Sequence, residues 1–276
     1  MIKQAIIPLA GLGTRLLPLT SVFAKELLPI NGKPGLEYIL EECIEAGIKE
    51  VVFIISKKKM MIKKYFYNDK FYKDIIKKKG DPKIIKEYKK ILKYKKMIKF
   101  VFQEKPLGTG DAVYKTKKFI TDKYFLMLLP DDLIIKENCS KSMIAVHNKF
   151  KVSVMASMKV NKNDVSRWGI YNIKKKIDKN NFIINNVVEK PSIKTSPSNN
   201  AVIGRYILPK TIFSKLKSLK PGKSGEFHIT DAIQALIEDD HQFIGHNFSG
   251  KYLDCGTMKG YIKSTLEISK QWNFAW

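Results

Sequence analysis

The sequence predicts an α/β fold: a Rossmann-like mixed, mostly parallel sheet flanked by helices, with additional strands in its second half. Three observations predict it. From Ile2 to Leu129, short apolar runs alternate with helically spaced segments, the rhythm of a parallel sheet covered by helices on both faces. From Lys151 to Leu208, four strand-like runs follow one another and helices return only later. A chain of 276 residues with 44% hydrophobic content can bury one large core. No Pro/Gly/Ser linker and no internal repeat divides it, so a single domain over residues 1–276 is expected.

Taken in order, Ile2–Leu9 is an apolar run ending in a glycine loop, which predicts a buried first strand. Gly35–Ala46 places Leu36, Ile39, Leu40, Cys43 and Ile44 on one helical face and stops at Gly47. Glu50–Ile55 is a second strand, and Lys57–Tyr67 the next helix. Asn68–Lys96 is lysine-rich and broken at Gly80-Asp81-Pro82, which predicts an insertion of exposed helices. Ile98–Phe102, helix Gly110–Phe119 and Tyr124–Leu129 complete the first half. In the second half the strand candidates are Lys151–Val160, Gly169–Ile173, Phe182–Glu189 and Ala201–Leu208. Helices are expected near Lys210–Leu216, at Thr230–Glu238 and, closing the chain, at Thr257–Lys270; Ile193–Asn200 is a surface loop.

Composition excludes several classes. The formal charge is +25, yet only Arg15, Arg167 and Arg205 are arginine among 51 basic residues. Nucleic-acid sites favour the planar arginine fork, and lysine together with abundant isoleucine and asparagine reflects A/T-rich codons. Nucleic acid is therefore not the expected partner. No run reaches the roughly 18–20 apolar residues of a membrane span, and the apolar start is too short for a signal peptide; a cytoplasmic location and no membrane partner are expected. Cys43, Cys139 and Cys255 lie far apart, without metal or disulfide spacing, and Cys255 is read as a packing residue. His147, His228, His241 and His246 show no metal spacing.

Two motifs carry the chemistry. Leu9-Ala10-Gly11-Leu12-Gly13-Thr14-Arg15-Leu16 follows the first strand. Gly11 and Gly13 allow the backbone to approach a phosphate, and Arg15 offers it a charged fork. The pattern is neither a P-loop nor G-x-G-x-x-G, since Leu16 stands at the last glycine position. Ala24-Lys25-Glu26-Leu27-Leu28-Pro29 then places Lys25 in an apolar stretch as a second phosphate ligand.

This pair of motifs, A-G-x-G-T-R and K-E-x-L-P, resembles the sugar nucleotidyltransferases, and among them the bacterial UTP–glucose-1-phosphate uridylyltransferases. The likeness continues through Gln103, Leu107-Gly108-Thr109-Gly110, Leu129-Pro130-Asp131-Asp132, Val188-Glu189-Lys190-Pro191, Ile203-Gly204-Arg205-Tyr206, Gly225-Glu226 and Asp254-Cys255-Gly256. Ala24 stands where the family commonly has proline.

The resemblance implies uridylyl transfer from UTP to glucose 1-phosphate, giving UDP-glucose and pyrophosphate. It divides the chain into a nucleotide-binding half over about residues 1–135 and a sugar-binding half with the C-terminal helix over about 136–276. It implies that Ala10, Gly11, Gly13, Thr14, Gln103 and Gly108 hold the nucleotide, and that Arg15, Lys25 and Lys190 are catalytic. Asp132, Gly169, Glu189, Lys190 and Gly204 meet the sugar phosphate, and Asp131 and Asp254 hold Mg²⁺, a hard cation suited to carboxylates. A homo-oligomer, dimer or tetramer, is also implied, with Trp272, Phe274 and Trp276 anchoring the last helix to a core or a neighbouring subunit. Two other readings stay open: a sister enzyme using dTTP or another sugar phosphate, and a lysine-rich polyanion-binding module without turnover.

Overall fold

A computed structural model describes residues 1–222 and 225–270 of the chain. Strand β1 (Gln4–Pro8) lies at the middle of the first half, with Ala5, Ile6 and Ile7 fully buried. A small hairpin follows, β2 (Pro29–Ile30) and β3 (Lys33–Pro34), turned by Asn31-Gly32 with both residues at positive φ. Helix α1 (Gly35–Glu45) buries Leu36, Ile39, Leu40 and Cys43 and leads to Gly47 at φ 85°. Strand β4 (Glu50–Ile55) and helix α2 (Met60–Tyr67) come next.

The lysine-rich insertion is two helices, α3 (Asp69–Lys79) and α4 (Pro82–Met97). Gly80 closes the first at φ 61°, and Asp81 caps the second by accepting from the Lys83 N–H, with Pro82 at its first position. Only α3 fits the expectation of exposed helices. Helix α4 is amphipathic and buries Tyr88, Ile91, Tyr94 and Met97, while Lys90 reaches Glu37 of α1. The charge run had concealed an apolar stripe.

Strand β5 (Ile98–Phe102), helix α5 (Thr109–Tyr114) and strand β6 (Tyr124–Leu128) complete the first half; α5 is shorter than its sequence pattern, ending in turns. Then come β7 (Asp132–Ile135), α6 (Cys139–Phe150), β8 (Ser153–Lys159), β9 (Gly169–Lys176), β10 (Asn181–Glu189) and β11 (Asn200–Pro209). Helices α7 (Ile212–Ser218) and α8 (Ile229–Glu238), strands β12 (Phe243–Asn247) and β13 (Lys251–Asp254), and helix α9 (Met258–Ser269) close the chain. Trp272, Phe274 and Trp276 lie outside the described residues.

One sheet runs through both halves in the order β5-β4-β1-β6-β11-β8-β12-β10-β9. Among the described residues the parallel pairings are β5–β4, β4–β1, β1–β6 and β8–β12. Parallel pairing thus belongs chiefly to the first half, and the added strands β9, β10 and β11 pair antiparallel. Strands β7 and β13 form a separate ribbon in which Asp132 pairs with Asp254. The carboxyl ends of β1, β4, β5 and β6 all open on one edge, where open α/β sheets bind ligands. No helix among the described residues is long and apolar enough to cross a membrane.

Candidate active site

The loop after β1 turns at Gly13, whose φ of 70° suits glycine. Thr20 locks that turn by donating its hydroxyl to the Gly13 carbonyl at 2.8 Å, and a Cβ on Gly13 would press within 3.1 Å of the Thr20 methyl. Leu16 is buried beneath the loop while Arg15 projects outward. Ala10, Gly11, Gly13, Thr14, Lys25, Gln103, Gly108 and Asp131 line one cavity of about 440 Å³ at the sheet edge. The structure therefore gathers all six expected nucleotide residues, with Lys25 and Asp131, around a single space.

Lys25 sits on a short 3₁₀ turn, Lys25–Leu27, that sends adjacent side chains different ways. Its Nζ lies 2.6 Å from Asp131 Oδ2, which also accepts from Arg15 Nη2 at 3.3 Å. Glu26 turns into the protein, where both its oxygens accept from Lys59 Nζ at 2.6 and 2.8 Å. Burial lowers the Lys59 pKa and the Glu26 charge only partly offsets it. This buried pair fixes the turn, and so fixes the direction of Lys25.

Asp131 follows β6. Burial works to raise its carboxyl, but the charges of Lys25 and Arg15 outweigh burial and hold it below the usual carboxylate range. Its carbonyl accepts from the Cys255 N–H at 2.8 Å, tying the loop to the end of β13. Asp254 is the last residue of that strand. Its own carboxylate is oriented by the Gly256 N–H at 2.7 Å and the Thr257 hydroxyl at 3.1 Å.

Gly256 keeps open the space between these segments. A Cβ there would lie 2.7 Å from Asp131 Oδ2, 2.8 Å from Arg15 Nη2 and 3.2 Å from Asp254 Oδ1. Two carboxylates converging on one small space suit a hard divalent cation that takes its other ligands from phosphate and water. No group of three or more His, Cys, Asp or Glu side chains placed to hold a metal ion occurs among the described residues, so a closed all-protein site is not what these residues build.

Arg205 lies behind this edge, fully buried in β11. It donates to Glu42 of α1 from Nε at 3.0 Å and from Nη2 at 2.8 Å. It also donates to the carbonyls of Leu129, Asp132 and Gly204 at 3.2, 2.6 and 3.0 Å. The loop that carries Asp131 is therefore pinned on both sides by one cation. The sequence placed Arg205 in a motif without giving it a role; its partners Glu42, Leu129 and Asp132 stand 163, 76 and 73 residues away, beyond any local pattern.

The expected sugar-phosphate residues form a second group outside the cavity. Gly169 pairs with Glu189 across β9 and β10, and a Cβ on Gly169 would come within 3.1 Å of Glu189 Oε2. Lys190 follows at φ 44°, its N–H donating to the Trp168 carbonyl at 3.0 Å. Gly204 lies against Leu129, where a Cβ would meet the leucine side chain at 2.6 Å.

Asp132 stands between the two groups, and both its oxygens are engaged within the chain. Oδ1 accepts from the Tyr252 hydroxyl at 2.7 Å and Oδ2 from the Gly204 N–H at 2.9 Å. Burial, and then the Asp131 charge, push its pKa up to about 6. Tyr252 in turn packs edge-on against Trp168, whose carbonyl accepts from the Lys190 N–H, so Asp132 is linked to the second group through two aromatic rings. His228, given no role from the sequence, lines the cavity with Glu226, and Cys255 is half-buried with its thiol raised by burial to about 12.

Comparison with known proteins accords with this architecture. The family model described as nucleotidyl transferase matches residues 4–271. A putative UTP–glucose-1-phosphate uridylyltransferase of Methanocaldococcus jannaschii is 35% identical over 98% of this chain and 94% of its own length. UTP–glucose-1-phosphate uridylyltransferase 2 of Staphylococcus saprophyticus is 37% identical over 97% and 92%. Among solved structures, a UDP-glucose pyrophosphorylase complexed with UDP-glucose superposes with a TM-score of 0.86 at 33% identity, covering 99% of this chain and 100% of that one. The UTP-bound UGPase of Acinetobacter baumannii gives 0.90 at 29%, covering 99% and 95%. With a sheet-edge cavity, a carboxylate–lysine centre and a match along nearly its whole length, the chain belongs to the nucleotidyl transferase family.

Proposed function

We propose that the chain transfers a uridylyl group from UTP to glucose 1-phosphate, giving UDP-glucose and pyrophosphate. The observation that carries this reading is the convergence of Lys25, Arg15, Asp131 and Asp254 on the edge of a cavity lined by Gln103 and Gly108. The relatives that share nearly the whole chain are named as uridylyltransferases acting on this pair.

In the transfer, a phosphate oxygen of the sugar attacks the α-phosphorus, the α–β phosphoanhydride bond breaks, and pyrophosphate leaves with the bond's electrons. No proton need be removed from the nucleophile, which is already an anion. The protein's task is alignment and charge neutralisation. The glycine loop and Arg15 take the triphosphate, and Lys25 meets the charge that develops on it. Asp131 and Asp254 would hold a divalent cation, Mg²⁺, which supplies neutralisation of phosphate charge. Lys190 steadies the incoming sugar phosphate, and Glu189 receives the sugar hydroxyls beside Gly169. Asp132 acts from behind, keeping Asp131 and Tyr252 in register. The reaction is that of a soluble cytoplasmic enzyme, and a homo-oligomer fits the resemblance.

The test is pyrophosphate release with Mg²⁺, crossing UTP and dTTP against glucose 1-phosphate and galactose 1-phosphate. Turnover confined to UTP with glucose 1-phosphate supports the assignment. Preference for dTTP moves the specificity and keeps the chemistry, and release from no pair overturns the proposal.

A further inference from the structure

Gln103 is almost wholly buried, at 4% exposure, yet it borders the cavity. Its backbone N–H is bound to the Ile55 carbonyl at 2.9 Å, which fixes the residue at the end of β5. Its side-chain Nε2 has two hydrogens to place. One goes to the Gly108 carbonyl at 3.1 Å and the other to Asp111 Oδ2 at 2.7 Å.

Both partners can only accept. Were the amide turned over, its oxygen would face a carbonyl and a carboxylate with no hydrogen between them. The orientation is therefore dictated by chemistry. It leaves Oε1 without a partner among the described residues, though not sealed away from solvent, so that oxygen is what Gln103 presents to the cavity.

We infer that Asp111 is a positioning residue for base selection: it holds the Gln103 amide so that an acceptor faces the nucleobase and admits imide bases. The inference rests on the proposed reading that this cavity holds the base. An acceptor pairs with the N3–H of uracil or thymine. It opposes the bare N3 of cytosine, and a polar site that cannot satisfy the wrong base rejects it strongly. Asp111 suits the role because a carboxylate never donates, and because it stands on a braced helix. The first turn of α5 is tied to the Glu226–Ile229 segment by Gly110 N–H to the Phe227 carbonyl at 2.7 Å and Ile229 N–H to Thr109 Oγ1 at 3.2 Å.

Asp111→Asn tests this. Asparagine can either accept from or donate to Gln103, so the second orientation is opposed by the Gly108 carbonyl alone, and the fraction of amide that adopts it can donate to cytosine N3. The measurement is kcat/KM for UTP and for CTP with glucose 1-phosphate, alongside calorimetric binding of each nucleotide alone. The ratio of UTP to CTP efficiency should fall by roughly tenfold or more in Asp111→Asn. In Asp111→Ala it should fall less, because the Gly108 carbonyl still holds one hydrogen. A merely structural role would lower both efficiencies alike, and an unchanged ratio overturns the inference while leaving uridylyl transfer intact. A wild-type enzyme that uses UTP and CTP equally overturns it too. A wild type that uses neither overturns the underlying reading instead.

Discussion

The Lys25 and Asp131 side chains are 14% and 15% exposed and meet at 2.6 Å, whereas Lys190 and Glu189 are 65% and 69% exposed and stand 3.8 Å apart. Behind the first pair lie two buried ion pairs, Glu26–Lys59 and Glu42–Arg205. Behind the second lie a strand register and a backbone bond to Trp168. The end proposed to take the phosphates is thus set before any ligand arrives, which is where electrostatic catalysis gains most from fixed geometry. The end proposed to take the sugar is a solvated surface, and exposed pairs of that kind contribute little to stability. Substitutions should therefore divide sharply: those behind the phosphate end alter folding, those at its face alter turnover, and those at the sugar end alter sugar affinity alone.

The largest effect should come from Arg205→Met. It leaves Glu42 buried without its cation and frees three carbonyls around the Asp131 loop. Removing one partner of such a pair costs about 3–5 kcal/mol, read as a lowered urea midpoint. A shift under about 1 kcal/mol would mean that the loop holds itself, and the contrast between the two ends would lose its structural basis.

Next comes Asp131→Asn, which keeps the side chain's shape and removes the charge that Lys25, Arg15 and the proposed cation share. Turnover should fall by about 10²–10³, the scale of losing one preorganised electrostatic group, with the fold retained and the urea midpoint lowered by less than in Arg205→Met. Near-normal activity in a Mg²⁺-dependent assay would remove Asp131 from the centre.

Glu26→Gln should cost about 1–3 kcal/mol of stability, because the Lys59 ammonium is then buried against a neutral amide. Replacing both partners, Glu26→Leu with Lys59→Met, should cost less than Glu26→Gln alone, since well-packed apolar residues can replace a buried pair. If the double variant is less stable than the single one, the pair is more than a brace for the Lys25 turn.

How much of this was legible in the sequence follows the same division. Strands β4 and β5 matched their predicted spans residue for residue; β4 is buried on both faces of a parallel sheet and so is an unbroken apolar run, while β5, at the sheet edge, buries Ile98 and Val101 and exposes Lys99 and Phe102. Helix α6, strand β12 and the β7–β13 ribbon were not foreseen. The ribbon has only four residues on each strand, and β7 finds its partner more than 110 residues later. Helix α6 does carry a local signal, Asn138, which caps it by accepting from the Lys141 N–H. In the site, the motifs singled out Lys25, Asp131 and Asp254, and the fold brings Lys25 to Asp131 and sets both carboxylates around Gly256. Arg205, Glu42, Lys59 and Asp111 were not assigned roles, since each acts through a partner that only folding supplies. Asp132, which the resemblance places among the sugar-phosphate residues, has both oxygens bonded within the chain, to the Tyr252 hydroxyl and the Gly204 N–H, partners that no local pattern announces.

The smallest effect should come from Lys190→Ala, and it tests the sugar end most directly. Lys190 is exposed and its nearest acid is 3.8 Å away, so its loss should leave the urea midpoint within about 0.5 kcal/mol of wild type. Its positive φ of 44° even makes Lys190→Gly a useful control, because glycine adopts that backbone without strain. Both variants should raise the KM for glucose 1-phosphate about tenfold, the scale of one charge-assisted bond to phosphate, while the KM for UTP stays put. Equal rises in both KM values would show that the two ends are coupled through Trp168 and Tyr252 rather than independent. An unchanged KM for the sugar phosphate would assign that contact to another cation at that end.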